Sequence, residues 1–132
     1  MSINRKNKYL EKENKKILYN KLNNEKISEI IIANTFQKRL LGLMFRQKTE
    51  FPMLFEIPQN IGTKMRSSIH SLFMRFDLKL VFIDKNNIVF EMADLKPWRL
   101  YVPKKEAKYI IEFEKTRFEN YNIKINDKIE IK

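Results

Sequence analysis

The chain is expected to fold as a mainly β (α+β) domain, a small antiparallel β-barrel-like structure of six or seven strands with one short amphipathic helix. Short apolar runs rich in Ile, Val and Phe recur along the sequence, separated by clusters of Asn, Asp, Lys and Pro. These strand candidates follow one another too closely for helical crossovers, which favours antiparallel pairing. Closing such a sheet on itself removes its exposed edges.

The length of 132 residues is that of one ordinary domain. Apolar residues make up 43% of the chain, and the absence of cysteine excludes disulfides and thiolate metal sites. Residues 1–16 are polar and basic, and we interpret them as an N-terminal tail preceding a single domain at 17–132. Because no apolar run reaches signal-peptide or membrane-spanning length, we expect a cytoplasmic protein without membrane insertion.

The N-terminal half of the domain is expected to hold three strands and the helix. The first two strands lie at 17–19 and 30–33, where β-branched residues cluster. Thr35 can cap a helix over 35–45, because apolar residues then recur at helical spacing, at Phe36, Leu40, Leu43 and Met44. The run FPMLFEIP, 51–58, alternates in polarity between Pro52 and Pro58 and predicts a half-buried or edge strand.

The C-terminal half is expected to be built from hairpins. The run IHSLFMRFDLKLVFID, 69–84, is apolar on both faces, so both should be covered. The turn DKNN, 84–87, then joins it to IVFEMA as a hairpin, because Asn tolerates positive φ. In AKYIIEF, Tyr109, Ile111 and Phe113 are expected to face inward, and residues 115–121 to form about one helical turn. The final run IKINDKIEI surrounds a polar turn at Asn126 and Asp127.

The charge of the chain leaves one alternative function open. Lys and Arg number 27 against 16 Asp and Glu, a net charge of +11, which suits a nucleic-acid-associated basic protein. However, a compositional bias towards Lys, Asn and Ile would produce the same excess, and no recognisable nucleic-acid-binding motif is present. Nucleic acid is therefore a candidate partner from charge only.

A catalytic alternative would have to use His70, the single histidine. A small hydrolase or transferase could pair His70 with Asp77 or Asp94, but no Gly-flanked serine elbow accompanies it. The spacing around His70 matches no established metal-ligand pattern. Two glycines cannot build a Gly-rich phosphate loop, so we expect no nucleotide cofactor and no metal.

The leading hypothesis is a small non-enzymatic ligand-binding or interaction module with a basic, aromatic barrel rim. Trp98 is the single tryptophan, and beside Arg99 it could form a stacking wall for a planar or sugar ligand. Arginine guanidinium groups also bind anions. The candidate ligand contacts, for an unidentified anionic or small-molecule ligand, are His70, Arg75, Trp98, Arg99, Arg39 and Arg46.

Three stretches, in order, resemble the domain of unknown function 192 family. The first, ANTFQKRLLGLMFR at 33–46, is similar to that family's opening pattern at Ala33, Thr35, Arg39, Gly42, Leu43, Met44, Phe45 and Arg46. The second is IHSLFMRFDLKLVFID, and the third is LKPWR followed by KYIIEF and NIKINDKIEI. The resemblance implies a compact, mainly β barrel-like domain with a helix, and no established activity.

The chain departs from the family pattern at informative positions. Lys79 stands where the family usually has an acid, so a family chemistry based on that carboxylate would be lost here. Asn122 and Asn126 stand where glycine is usual, and Asn tolerates positive φ better than most residues. Within KRLLGLMFR, Gly42 predicts a close contact between the helix and a strand, and Arg39 a position at the rim.

Overall fold

Two apolar runs near the N-terminus pair as a hairpin whose turn is set by asparagines. The structure, a computed structural model, describes residues 15–33, 51–57, 69–70 and 76–132. The side-chain oxygen of Asn20 accepts a hydrogen bond from the Leu22 amide at 2.9 Å, and that of Asn23 one from the Glu25 amide at 3.0 Å. Asn24 follows with a φ of 61°, the left-handed conformation that Asn tolerates.

In the described part of the chain, nine strands and one short helix follow one another. They are β1 (Lys15–Asn20), β2 (Glu25–Ala33), β3 (Met53–Glu56), β4 (Ile69–His70), β5 (Leu78–Ile83), β6 (Val89–Leu95), β7 (Leu100–Tyr101), β8 (Tyr109–Glu114), α1 (Lys115–Phe118) and β9 (Ile129–Ile131). Seven strands form one sheet in the order β6-β5-β8-β3-β2-β1-β9, and β4 pairs with β7 as a separate ladder. The mainly β prediction is confirmed.

One strand pair differs from the predicted antiparallel pattern. Five of the six pairings in the large sheet are antiparallel, whereas β2 and β3 run parallel, with Ile31 opposite Met53 and Ala33 opposite Phe55. Parallel neighbours need a connection of about a dozen residues or more. Residues 34–52 supply that length, which allows the chain to enter β3 from the same end as β2.

The prediction that β3 is a half-buried or edge strand is wrong. It lies between β2 and β8 in the sheet, and Met53, Leu54 and Phe55 are all buried. Pro52 does not prevent this because it precedes the strand, where its carbonyl oxygen accepts a hydrogen bond from the Ile31 amide at 2.9 Å. The missing proline N–H is thus outside the paired segment.

The sheet buries both of its faces, as predicted for the run at 69–84, whose residues 78–83 form β5. One face, which we call the β7 face, packs against Tyr101 and contains the buried residues Ile31, Met53, Phe55, Leu78, Leu80, Phe82 and Ile110. The opposite α1 face packs against Phe118 and Tyr121 and contains Leu18, Ile30, Leu54, Val81, Ile83, Ile111, Phe113 and Ile129. The two-residue strand period explains the division, since neighbours along β3, β5 and β8 fall on opposite faces.

The sheet is not closed by a continuous ladder, but backbone hydrogen bonds link its two edges at one end. Ile88 forms a bridge with Lys128, between the start of β6 and the approach to β9. The Val89 amide donates to the Asp127 carbonyl at 2.9 Å, and the Ile129 amide to the Asn87 carbonyl at 2.8 Å. A barrel-like description therefore holds loosely, with closure confined to this end.

The turns predicted from asparagine are confirmed at two positions. Asn87 has a φ of 64° in the β5–β6 turn, and Asn126 a φ of 76° before β9. Asn122 is not among the positive-φ residues, so the glycine-like role expected there is wrong. The helical turn expected within 115–121 is α1, whereas the amphipathic helix predicted at 35–45, with Gly42, lies outside the described residues.

Candidate functional site

The segment between β6 and β8 presents an exposed tryptophan on a constrained turn. Residues 96–105, KPWRLYVPKK, form what we call the Trp98 loop, which holds four cationic residues and no carboxylate. Trp98 has a φ of 63°, in the left-handed region. The three other positive-φ residues other than glycine in the described chain are all Asn. A bulky residue in this region is an outlier that costs of order 1 kcal/mol, and such outliers concentrate at functional sites.

The Trp98 loop is fixed to the sheet by Tyr101. Its ring packs against Phe82 with centroids 5.6 Å apart, and its hydroxyl donates a hydrogen bond to the Glu91 carboxylate. The other Glu91 oxygen accepts from the Lys104 amide at 2.9 Å. The hydrogen bond to Glu91, together with burial and the carboxylate charge, raises the pKa of Tyr101 to about 12. One acidic residue of β6 thus holds two points of the loop.

The far end of the Trp98 loop is fixed to the β5–β6 turn. Pro103 is buried, and the Lys105 ammonium lies 3.5 Å from Asp84 and 4.6 Å from the centre of the Phe90 ring. Asp84 in turn accepts hydrogen bonds from the Asn86 and Ile88 amides at 2.8 and 3.1 Å. The tip therefore lies between the end of β6 at Leu95 and these anchor points, on a supported backbone.

Three successive residues at the tip are exposed. Trp98 is 54% and Leu100 60% exposed, so two large apolar side chains of the loop lie at the surface. Arg99 lies between them, and its guanidinium donates to the Trp98 carbonyl at 3.4 Å. Lys96 and Lys104 are also exposed. The surface combines apolar area with positive charge, which suits an anionic partner that also has an apolar or planar part.

The backbone brings one further predicted contact residue to this loop. In the β4–β7 ladder, His70 is paired with Leu100 and Ile69 with Tyr101. His70 therefore belongs to the strand beside the tip, although its side chain is outside the described residues. Arg39, Arg46 and Arg75 also lie outside the described residues, so their part in a common site stays a prediction.

Asp94, a partner considered for catalysis, is held by two lysines. The Lys79 and Lys115 ammonium groups lie 3.1 and 3.2 Å from its two carboxylate oxygens. Partial burial acts to raise the pKa of Asp94, but hydrogen bonds and charge from both lysines outweigh it and lower the pKa below its usual value. Lys79 is the cross-strand neighbour of Asp94. This arrangement suits an ion pair that stays charged near neutral pH.

The sequence interpretation missed a buried carboxylate on β8. Glu112 is fully buried on the β7 face, opposite Met53 on one side and Leu80 on the other. Only Tyr109, Ile111 and Phe113 were expected to face inward, which leaves Glu112 on the outer side. Ile110 was the available signal, because an apolar residue on the other face indicates a strand covered on both sides. A buried carboxylate needs charge or hydrogen-bond compensation.

The described residues contain no group of three or more His, Asp or Glu side chains arranged to hold a metal ion. Asp77, the other carboxylate considered with His70, accepts a hydrogen bond from the Lys115 amide through its backbone oxygen at 3.0 Å. Over those same residues, no helix is long and apolar enough to cross a membrane.

The fold is shared with two solved structures. A protein of unknown function from Novosphingobium aromaticivorans superposes with a TM-score of 0.68 at 17% identity, covering 88% of this chain and 83% of its own. A putative transcription regulator from Sinorhizobium meliloti gives a TM-score of 0.70 at 15% identity, covering 89% of this chain and 92% of its own. At these identities the likeness concerns the fold alone.

Sequence relatives extend over most of the chain. A UPF0127 protein of Pyrococcus furiosus is 40% identical over 102 residues, which are 77% of this chain and 85% of the relative. A UPF0127 protein of Pyrococcus horikoshii is 41% identical over 101 residues, 76% of this chain and 85% of the relative. The DUF192 family model, described as Uncharacterized ACR, matches residues 18–131. The chain thus belongs to the DUF192 family, whose curated relatives carry the name UPF0127.

Proposed function

We propose that this chain is a small non-enzymatic binding module that takes an anionic partner at the Trp98 loop. The observation that carries the proposal is the conformation of Trp98, an exposed aromatic residue kept at a φ of 63°. A position that only needed to form a turn is better served by Gly or Asn, as at Asn24, Asn87 and Asn126. We assign the exposed part of the Trp98 ring to the contact with this partner.

The charge around Trp98 supports an anionic partner. Arg99 adjoins the ring, and Lys96 and Lys104 are exposed on the same loop. A guanidinium group binds planar anions with two parallel hydrogen bonds, and an indole face adds stacking area beside it. We keep His70, Arg75, Arg39 and Arg46, the other ligand contacts expected from the sequence, in the proposed contact set.

The catalytic and nucleic-acid alternatives have less support. The Asp94 carboxylate is already held by Lys79 and Lys115, which removes it as a ready general base for His70. The described residues carry 16 Lys or Arg and 13 Asp or Glu, a net +3, against +11 for the whole chain. The described residues therefore contribute little of the net positive charge on which nucleic-acid binding would depend.

The test uses Trp98 as its own reporter, because it is the single tryptophan. The chain is titrated with inorganic phosphate, citrate, adenosine monophosphate and a single-stranded oligonucleotide, each at an ionic strength matched with chloride. We expect saturable changes in tryptophan emission with at least one of these anions. Arg99→Gln should weaken that binding about tenfold or more, since a hydrogen bond to a charged group contributes about 1.5–3 kcal/mol.

Two further variants separate binding from folding. Trp98→Asn keeps a residue that tolerates positive φ, so the sheet should remain intact by circular dichroism while calorimetric binding is lost. Lys124→Gln removes an exposed cation away from the Trp98 loop and should leave binding unchanged. If neither a soluble anion nor an anionic surface perturbs Trp98 beyond the chloride control, or if Lys124→Gln weakens binding as much as Arg99→Gln, the proposal is wrong.

A further inference from the structure

We infer that the anionic partner is a lipid bilayer surface rich in negatively charged headgroups, which the tip of the Trp98 loop contacts peripherally. The inference rests on the proposed function, because it names the partner of the same loop. The contact surface consists of Trp98 and Leu100 as apolar residues and Lys96, Arg99 and Lys104 as cations. It involves shallow contact with the headgroup region and no spanning segment.

Leu100 is the residue that distinguishes this partner from a small anion or a nucleic acid. It is 60% exposed and follows Arg99 directly. A phosphate ion gains nothing from an aliphatic side chain, and an oligonucleotide uses stacking faces and cations instead. At a membrane surface, tryptophan occupies the headgroup level, while a leucine beside it can be buried at the boundary with the acyl chains.

The cations around the tip match the charge of such a surface. Basic residues close to an anionic bilayer each contribute about 1 kcal/mol of attraction, which corresponds to about fivefold in affinity. Arg99 lies between the two apolar residues, and Lys96 and Lys104 lie within the same ten-residue loop. Because no carboxylate is present in residues 96–105, no acidic side chain of the loop itself would be brought against the headgroups.

The anchoring of the loop favours binding to an extended surface. Glu91 holds both the Tyr101 hydroxyl and the Lys104 amide, and Lys105 is paired with Asp84. The tip is thus presented in an ordered state before contact, so binding does not have to pay for ordering the backbone. A flat partner can then meet Trp98, Arg99 and Leu100 together.

The experiment measures Trp98 emission and co-sedimentation of the chain with two kinds of vesicle. One contains phosphatidylcholine alone, and the other one part phosphatidylglycerol to two parts phosphatidylcholine. We expect a blue shift and sedimentation with the anionic vesicles only, and reversal in about 1 M salt, where the Debye length is about 3 Å. Quenching by lipids brominated near the headgroup end of the acyl chain should exceed quenching by lipids brominated near the methyl end.

Matched variants test the apolar part of the contact. Leu100→Ser should lower the affinity for anionic vesicles about tenfold, and Arg99→Gln about fivefold. Leu22→Ser changes a leucine that is 70% exposed in the β1–β2 turn, outside the Trp98 loop, and should leave affinity unchanged. Equal affinities for Leu100→Ser and the parent chain would overturn the inference, since binding would then be purely electrostatic.

The same vesicle experiment distinguishes failure of this inference from failure of the proposed function. If Trp98 responds saturably to phosphate, citrate or an oligonucleotide but not to anionic vesicles, the lipid inference is overturned and the binding module stands. If Trp98 responds to neither vesicles nor soluble anions, both are overturned. Binding to phosphatidylcholine vesicles as strongly as to anionic ones would also overturn the inference.

Discussion

The β5–β6 turn contains a position where glycine should be better than the native residue. Asn87 has a φ of 64°, and its side-chain oxygen Oδ1 is buried without a hydrogen-bond partner. Its backbone is fully used, because its amide donates to the Asp84 carbonyl at 2.9 Å and its carbonyl accepts from Ile129 at 2.8 Å. Substitution can therefore remove the unsatisfied oxygen while keeping the backbone bonds.

The free-energy change for Asn87→Gly follows from three contributions. Removing a buried unsatisfied acceptor returns about 1–3 kcal/mol. Left-handed backbone costs an L-residue roughly 1–2 kcal/mol, less for Asn, and costs glycine nothing. Against these gains, glycine loses about 0.5–1 kcal/mol more chain entropy on folding. We expect Asn87→Gly to raise the free energy of unfolding by about 1 kcal/mol, or the Tm by about 4 °C.

A comparison with alanine isolates the backbone contribution. Asn87→Ala also removes the buried oxygen but keeps the left-handed cost, so it should be about 1 kcal/mol less stable than Asn87→Gly. Asn86 is the matched control, because it is exposed and is not among the positive-φ residues, so alanine should exceed glycine there. Urea unfolding followed by circular dichroism measures all four variants. Alanine equal to or more stable than glycine at position 87 would refute the reasoning.

Three further predictions concern ionisable side chains. Asp94→Asn should cost at most about 1 kcal/mol near neutral pH, because the ion pairs are half-exposed. Since the pKa of Asp94 is lowered in the folded state, its stabilising effect is present above the usual pKa of 3.8 and is lost as the pH falls below that value. The free energies of unfolding of parent and variant, measured by urea titration, should therefore converge in acid. Tyr101→Phe should cost about 1.5–3 kcal/mol at pH 7, and more than Tyr19→Phe, because it removes the hydrogen bond to Glu91. Because the pKa of Tyr101 is raised, this contribution to stability is present below pH 10 and is lost as the pH rises towards about 12. Tyrosinate absorbance should show one tyrosine that titrates late. Glu91→Gln should abolish that late titration. Glu112→Ala should cost about 2–5 kcal/mol in urea unfolding, since it removes a fully buried side chain and leaves a cavity between β3 and β5, whereas Glu130→Ala, at a half-exposed position of β9, should cost less than about 1 kcal/mol.

Local signals in the sequence were sufficient where one stretch determines its own structure. The DKNN turn is predicted because Asn87 tolerates positive φ, and the two-sided run at 78–83 because its apolar residues fall on both faces. The single histidine lies on β4, and the single tryptophan lies two residues before β7. The backbone pairing of His70 with Leu100 places them in the same part of the fold.

Non-local features were not predictable in the same way. The parallel pairing of β2 with β3 depends on the path of residues 34–52 and not on the composition of either strand. The central position of β3 was hidden by Pro52, which marks an edge strand only if it lies within the paired segment. The positive φ of Trp98 could not be predicted from the sequence, because Pro-Trp-Arg contains neither Gly nor Asn, the residues that usually indicate positive φ.

The mixed sheet consists of two smaller sheets that meet along two seams. One smaller sheet contains β6, β5, β8 and β3, and the other contains β2, β1 and β9. The parallel pairing of β2 with β3 forms one seam, over only three residue pairs, and the Ile88–Lys128 bridge marks the other. Antiparallel hairpins within each smaller sheet join segments closer in sequence, as in β1–β2 and β5–β6.

These seams should be the first parts of the sheet to separate. Each is short, with three residue pairs between β2 and β3 and one isolated bridge between Ile88 and Lys128, whereas six residue pairs join β5 to β8. The Ile31 and Ile129 amides donate hydrogen bonds across the seams, whereas Val81 and Ile111 lie opposite each other in β5 and β8. In native-state hydrogen exchange, the opening free energy of the Ile31 and Ile129 amides should therefore be lower than that of the Val81 and Ile111 amides. The protein would then behave as two cooperative units joined edge to edge, although its chain forms a single sheet.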